Sequence, residues 1–415
     1  MSLTKILEAH RPGLSSYEQL YKHFHSNPEL SSQEAETAAA AVAHLRQLSP
    51  DFDIRSNIGG HGVVAILRND NGPTVLSRAD MDALPVEERT GPAYASTKRV
   101  VDLHGREQPV MHACGHDMHV TCLLAYAELM LSARDVWHGT IVLLFQPAEE
   151  RGTGAQSMVD DGLVFSGHVV PARAGVVGIR PGTMASSCDN LRVTFHGRGG
   201  HASMPERLVD PIIMASSAVL RLQTLVSREI HPSEHAVVTC ASFYSGTPAE
   251  NVVSDDATIT IDIRANNQDT RQKLYNGVLR IVQAKSVASN GVDIPTIVPT
   301  RTFPVTINDD SMTERVGKAF SDHFCSGDHS YVANYPRLSF SEDFCILASA
   351  LLFAYGCTAS DKVDQAQNKG TLAESIPGNH NSLFAPQIFP TIQVRIDAYA
   401  LSALAWLSNN DRYYV

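Results

Sequence analysis

The segment GTIVLLF, residues 139–145, is rich in β-branched and other apolar residues and is typical of a strand buried on both faces. Two earlier segments, GVVAILRN at 62–69 and PTVLSRAD at 73–80, have a similar composition. Residues 117–134, which lie between the 73–80 segment and the 139–145 segment, are predicted to form a helix. Because strands and helices alternate, the sequence predicts an α/β domain whose mixed sheet is flanked by helices.

The order of elements changes near residue 186. Strand, helix, strand, strand, helix and strand are predicted in turn at 189–198, 211–229, 236–246, 255–265, 269–287 and 295–303. This βαββαβ order predicts a small domain inserted at 186–304, and residues 1–185 and 305–415 would form the larger domain. A chain of 415 residues is long enough for about two domains. The polar stretch 360–375 is expected to be a long surface loop.

Residues suited to metal chemistry follow the predicted strands. Glu149 and Glu150 come just after the 139–145 strand, where open α/β sheets place their ligand sites. Cys114 and His116 are separated only by Gly115, so both side chains can approach one ion. Two adjacent glutamates rarely bind one metal through the same face, so Glu150 is assigned as a ligand and Glu149 as a general base. The sequence therefore predicts metal-assisted hydrolysis.

Two aspartates end another predicted strand. Asp80 and Asp82 precede Pro85, which cannot extend a strand ladder. They could orient a metal-bound histidine, which would place Asp82 among the catalytic residues. They could equally form a turn, and their spacing does not decide between the two interpretations.

The composition excludes several classes of protein. With 33 basic and 44 acidic residues the net charge is -11, and no basic tract interleaved with aromatics occurs, so nucleic-acid binding is not expected. No run of 18 apolar residues predicts a membrane span, and the first 30 residues lack the apolar core of a signal peptide. Seven scattered cysteines fit a reducing compartment. We expect a cytoplasmic protein.

Five motifs in order resemble the metallopeptidase family M20, subfamily D: SRADMDALP, MHACGHDMH, QPAEE, GGHASMPE and SEDF. That branch contains hippurate hydrolases, auxin-conjugate amidohydrolases, and related aminoacylases and carboxypeptidases. The resemblance extends from about residue 20 to residue 407. It implies a catalytic domain with two divalent metal ions, Zn²⁺ or Mn²⁺, and an inserted lid domain. The metal ligands that it implies are Cys114, His116, Glu150, His168 and His380.

The resemblance also assigns roles in the inserted domain. His201 in GGHASMP would reach the substrate carbonyl and stabilise the oxyanion. Asn251 and Arg264 would hold the other end of the substrate. An arginine suits a substrate carboxylate because its planar fork makes two parallel charge-assisted bonds.

The predicted reaction is hydrolysis of an N-acyl amino acid or a similar small amide by a metal-activated water, with Glu149 as the general base. Alternatives are a carboxypeptidase or dipeptidase acting on short peptides, and an amide-processing enzyme of specialised metabolism. A non-catalytic metal-binding protein is a further alternative. The complete set of ligands and the base argues against it, because a protein without activity has no need of the base. Edge strands or helices of the inserted domain can pair between subunits, so a homodimer is a further expectation.

Overall fold

The computed structural model describes residues 2–158, 163–246, 249–325, 329–347 and 350–408. The chain divides into two compact units. The first comprises Met1–Met184, Ile307–Pro336 and Asp343–Val415, and the second comprises Ala185–Thr306 and Arg337–Glu342. The domain predicted at 186–304 falls inside the second unit, to which the structure adds Arg337–Glu342. The added segment accepts a hydrogen bond from Ser186 Oγ at the carbonyl oxygen of Ser339, 2.8 Å away.

The described residues form ten α-helices, numbered along the chain. They are α1 Leu3–His10, α2 Leu14–Ser26, α3 Ala35–Leu48, α4 His116–Ser132, α5 Pro211–Glu229, α6 Gln268–Ala288, α7 Asp310–Phe324, α8 Ser360–Lys369, α9 Leu372–Ser375 and α10 Thr391–Leu407.

Eighteen strands occur in the same described ranges. They are β1 Asp53–Ile58, β2 Gly62–Asn69, β3 Thr74–Asp80, β4 Arg99–Val101, β5 Glu107–Pro109, β6 Gly139–Gln146, β7 Leu163–Arg173, β8 Val176–Gly178, β9 Gly182–Ala185, β10 Ser187–His196, β11 Gly200–His201, β12 Ala236–Ser245, β13 Val252–Val253, β14 Asp256–Ala265, β15 Thr296–Phe303, β16 Thr306–Asn308, β17 Ser330–Val332 and β18 Ala350–Thr358.

The first unit is built on a mixed sheet with the strand order β1-β2-β6-β3-β7-β18-β16-β9, beside which β8 pairs with β18 and β17. The apolar run 139–145 lies in β6, which pairs antiparallel with β2 and parallel with β3. Helices α4 and α10 are buried along almost their whole length, including polar residues such as Asp117 and Arg395, and most of their residues are apolar. The two helices pack together, with the rings of Tyr126 and Tyr399 5.6 Å apart. The predicted α/β fold class is confirmed.

The second unit has a four-stranded antiparallel sheet in the order β12-β14-β10-β15. Strand β14 alternates buried and partly exposed residues, so Ile259, Ile261 and Ile263 point to one side. Leu222 of α5 and Leu274 of α6 belong to the same buried cluster as these isoleucines. The βαββαβ order predicted for this part of the chain is confirmed, with the two-residue strands β11 and β13 added.

The prediction of a loop at 360–375 was wrong. This stretch forms α8 and α9, and Gly370, in the left-handed conformation with φ 68°, ends the first of them. Only Ala366 of α8 is buried. The helix therefore lacks the apolar stripe from which an amphipathic helix is predicted in a sequence. Sequence reasoning also did not predict α1, which buries Leu3, Ile6 and Leu7.

Within the described residues, no helix combines the length and the apolar character needed to cross a membrane. The cytoplasmic location stays a prediction.

A buried charged network connects α2 with the start of α4. His25 lies between Asp117, with Nδ1 2.6 Å from Oδ2, and Glu88, with Nε2 3.0 Å from Oε1. Burial opposes the charged form, but the hydrogen bonds to these two carboxylates raise the pKa of His25 to about 10. His25 is therefore expected to be protonated in the folded protein at neutral pH.

This network predicts a loss of stability at alkaline pH. A histidine whose pKa is raised on folding stabilises fully below its unfolded pKa, about 6.5, and the contribution disappears as the pH rises through its folded pKa. The difference in unfolding free energy between the wild type and His25→Gln should therefore shrink by about 4 kcal/mol between pH 6.5 and 10. Urea titrations at both pH values would measure it.

His44 supplies the control for this experiment. Burial lowers the pKa of His44, so the folded chain disfavours its charged form, and the unfolded chain binds a proton at this residue only near the lower end of the interval. The difference between the wild type and His44→Gln should therefore change by less than about 0.5 kcal/mol, in the direction opposite to that for His25→Gln. A constant difference for His25→Gln would contradict the protonated network.

Candidate metal centre

Cys114 and His116 are brought together by the turn that begins α4. Gly115 caps this helix with φ 79°, a conformation that side chains other than glycine rarely adopt. A Cβ atom on Gly115 would lie 2.6 Å from Val169 Cγ1. The glycine therefore permits both the sharp turn and the close approach of β7, which carries His168.

His168 is presented in the state that a metal ligand requires. Its Nδ1 donates to the carbonyl oxygen of Val169, 2.7 Å away, and its Nε2 lies 3.5 Å from Cys114 Sγ. Burial lowers the pKa of His168 to about 3, so the imidazole is neutral. A neutral imidazole with Nδ1 hydrogen-bonded to a carbonyl presents Nε2 as its donor atom.

His116 is held by Asp82, with Nδ1 2.8 Å from the carbonyl oxygen and 3.2 Å from Oδ1. Its Nε2 is buried and makes no hydrogen bond to the described residues, although Asp80 Oδ2 lies 3.4 Å away. Burial opposes a charge here, yet the carboxylates of Asp80, Asp82 and Glu150 raise the pKa of His116 to about 10. The surroundings of His116 therefore favour a positive charge, which a metal ion would supply.

Glu149 and Glu150 form a single turn of 3₁₀ helix after β6, preceded by Ala148 with φ 51°. The amide of Glu150 donates to Asp82 Oδ2 at 3.0 Å. Glu150 Oε1 lies 3.2 Å from Nε2 of His380, whose own amide donates to the carbonyl oxygen of Ala113 at 2.7 Å. The side chain of His380 is half exposed, whereas Glu150 is buried. The turn thus places both carboxylates beside the α4 residues.

Among the described residues, several groups of side chains could hold a metal ion, and three of them consist of predicted ligands and the predicted base, with the ligand atoms of each group within 4.8 Å of one another. These three are Cys114, His116 and His168; Cys114, Glu150 and His380; and His116, Glu149 and Glu150. Together the groups contain the five predicted ligands and the predicted base. A thiolate combined with imidazoles and carboxylates suits zinc and related divalent metals, so the donor set fits such an ion.

Sequence reasoning named Asp80 as a residue that could orient a ligand, but it missed His119 beside it. Asp80, His116 and His119 form a further buried group of the same kind, and His119 Nδ1 is hydrogen-bonded to Asp80. Burial disfavours the charge of Asp80, but Arg78, 2.8 Å away, and the two histidines hold its pKa well below the usual range. The sequence could have indicated His119, because it follows His116 by three residues, and residues at this spacing lie on the same face of a helix.

The remaining predicted residues lie in the second unit. His201 is exposed in β11, and its Nδ1 accepts a hydrogen bond from the amide of Ser203 at 3.1 Å. The carbonyl oxygen of Asn251 accepts from the amide of Ala202, so Asn251 lies next to His201.

Arg264 is already engaged in the structure. Its Nε lies 2.8 Å from Asp262 Oδ1, and its Nη1 donates to the carbonyl oxygen of Ser339 at 2.9 Å. Because the guanidinium fork is directed at Asp262, the proposed bidentate bond to a substrate carboxylate would require this pair to open.

Comparison with known proteins decides the family. The sequence profile described as peptidase family M20/M25/M40 matches residues 76–377. The chain belongs to this family. The M20 membership predicted from the five motifs is thereby confirmed, and the chain is a metal-dependent hydrolase of that family.

Several M20-related proteins are similar over most of their length. A hippurate hydrolase of Campylobacter jejuni is 34% identical over 349 residues, covering 82% of this chain and 86% of the relative. An N-acetyl-L-cysteine deacetylase of Bacillus subtilis is 35% identical, covering 69% of each chain. The crystal structure of a dinuclear metal-binding M20 peptidase from Bacillus subtilis has the same fold, with a TM-score of 0.71 at 22% identity, covering 96% of this chain and 98% of that one.

Proposed function

We propose that this M20 member hydrolyses the amide bond of N-acyl amino acids or similar small conjugates. The observation that carries the proposal is the convergence of Cys114, His116 and His168 with the Glu149–Glu150 turn. The relatives described as a hippurate hydrolase and an N-acetyl-L-cysteine deacetylase support this substrate class.

Cys114, His116, Glu150, His168 and His380 would hold two divalent cations, Zn²⁺ or Mn²⁺. When bound, such cations lower the pKa of water and polarise the substrate carbonyl. Glu149 is buried and adjacent to the ligand Glu150, and it would accept a proton from the attacking water. As the C–N bond breaks, Glu149 would return this proton to the leaving nitrogen. The products are a carboxylate and an amine.

Asp82 would be the residue that orients His116. Both its carbonyl oxygen and its Oδ1 face His116 Nδ1, which leaves Nε2 directed toward the ligand group. His201 would stabilise the oxyanion, and Asn251 and Arg264 would hold the remote end of the substrate, as the family resemblance implies.

The test is a substrate panel assayed with Zn²⁺ or Mn²⁺ added in turn. N-benzoylglycine, N-acetylcysteine and other N-acyl amino acids should release amine, and dipeptides with a free amino group should react more slowly. Faster hydrolysis of the dipeptides would favour the alternative of a dipeptidase or carboxypeptidase. Metal binding without turnover of any member would instead favour a specialised amide or a non-catalytic role.

We also propose that the protein forms a homodimer through β12, which lies at one edge of the second unit's sheet. Phe243 and Tyr244 on this strand are 41% and 66% exposed. A strand edge that pairs with no further described strand and carries exposed aromatic residues is suited to pairing with a second copy. Sedimentation velocity of the wild type and of Tyr244→Lys would test this.

A further inference from the structure

The connection between α2 and α3 contacts two of the turns that carry the candidate site. The carbonyl oxygen of Glu29 accepts from the amide of Ala83 at 2.7 Å, and Ser31 Oγ donates to Asp82 Oδ2 at 2.6 Å. Glu34 reaches the other turn by accepting a hydrogen bond from the amide of Ala148 at 2.8 Å. One short connection thus reaches both the aspartate turn and the glutamate turn.

One carboxylate oxygen of Glu34 accepts hydrogen bonds from the amides of two residues that have positive φ angles. Its Oε1 accepts from the amide of Ser32 at 2.7 Å as well as from the amide of Ala148. Ser32 and Ala148 both have positive φ angles, 67° and 51°, in the left-handed region that residues other than glycine seldom occupy. Such conformations persist only where the surrounding structure enforces them. The Glu34 carboxyl group is one source of that enforcement.

Burying the carboxyl group of Glu34 costs free energy of folding. Glu34 is completely buried, and its Oε2 has no hydrogen-bond partner among the described residues. Burial, together with the nearby charge of Asp82, raises the pKa of Glu34 to about 7. A buried carboxyl group with an unpaired oxygen is unfavourable for folding, so its presence suggests a role other than packing.

We propose that Glu34 is a positioning residue that fixes the Ala148 turn and so sets the places of Glu149 and Glu150. The inference rests on the proposed function, because it treats Glu150 as a metal ligand. Outer residues that orient ligands commonly affect metal affinity by about 10-fold to 100-fold. Glu34 should act at this scale although it belongs to none of the candidate ligand groups.

Three variants separate positioning from general stability. Glu34→Ala removes both hydrogen bonds, whereas Glu34→Gln keeps an oxygen that can accept them. Glu29→Ala is the matched control, since Glu29 is also buried and its carboxylate accepts from Thr37 N and Oγ1 at 2.7 and 2.8 Å. Within the described residues, the Glu29 carboxylate bonds only to the start of α3, at Glu36 and Thr37.

Two measurements apply to each variant. Competition with a chromophoric chelator gives the Zn²⁺ affinity, and hydrogen exchange of a peptide covering 146–152 reports on the Ala148 amide. Glu34→Ala should weaken Zn²⁺ binding by about 10-fold to 100-fold and accelerate exchange of this peptide by about tenfold or more. Glu34→Gln and Glu29→Ala should stay within about threefold of the wild type in both measurements.

The proposal is overturned if Glu34→Ala leaves the exchange of this peptide unchanged, or if Glu29→Ala weakens Zn²⁺ binding equally. If Glu34→Ala does not fold, Glu34→Asp replaces it. The aspartate side chain is shorter, so its carboxylate cannot reach both amides, and this variant should show the same two effects. Wild-type protein that fails to bind Zn²⁺ or to hydrolyse amides would contradict the proposed function instead. The exchange measurement would still test the role of Glu34 in that case.

Discussion

Replacing Glu149 with glutamine is expected to lower kcat for amide hydrolysis by about 10³-fold or more while both metal ions stay bound. Glutamine has the same shape as glutamate but cannot accept the proton that the attacking water loses. Glu149 is 5% exposed and lies in the turn after β6, so the substitution changes the chemistry of this position more than its packing. The measurements are amine release from an N-acyl amino acid and metal content by mass spectrometry.

Glu150→Gln is the matched comparison, since it makes the same chemical change one residue away. Glu150 belongs to the group with Cys114 and His380, and its Oε1 lies 3.2 Å from His380 Nε2. Its replacement should therefore lower metal content as well as turnover. If Glu149→Gln kept kcat within a few-fold of the wild type, Glu149 would not be the base. If it lost metal as Glu150→Gln does, Glu149 would be a ligand.

The parts of the fold and site that the sequence predicted depend on local signals. Strand β6 combines a short apolar run with two carboxylates immediately after it, so both the strand and its functional end are visible within twelve residues. Cys114 and His116 are similarly adjacent to the glycine that turns the chain between them. The βαββαβ unit was predictable because its helices and strands have clear apolar periodicity.

The parts that were not predictable depend on contacts between distant segments. His168 lies 54 positions after Cys114, and only the family resemblance pointed to it and to His380. The pairing of Arg78 with Asp343 joins residues 265 positions apart, and the bond from Ala148 to Glu34 spans 114 positions. Helix α8 was not predicted, for a different reason. It buries only Ala366, so its sequence is as polar as that of a surface loop.

Replacing Cys114 with alanine is expected to weaken metal binding by about 100-fold and to abolish turnover at ordinary metal concentrations. Cys114 belongs to two of the groups of described side chains that could hold an ion, so its loss removes a donor from both. Its Sγ lies 3.5 Å from His168 Nε2, and the neutral imidazole of His168 cannot replace a negatively charged thiolate. Metal content after dialysis, and kcat at increasing Zn²⁺ or Mn²⁺, would measure both effects.

Cys122→Ala provides the control, because Cys122 is a buried cysteine of α4 that belongs to none of the ligand groups. Burial raises the pKa of the Cys122 thiol to about 12, so it stays protonated, and it contributes packing and a weak hydrogen bond from Sγ to the carbonyl oxygen of Ile392, 3.8 Å away. This variant should lose some stability and keep both metal ions. If Cys114→Ala kept both ions and full activity while Cys122→Ala behaved as expected, the groups without a thiolate would suffice. The centre would then consist of His116, His168, Glu149, Glu150 and His380, and it would contain no thiolate to favour zinc over manganese.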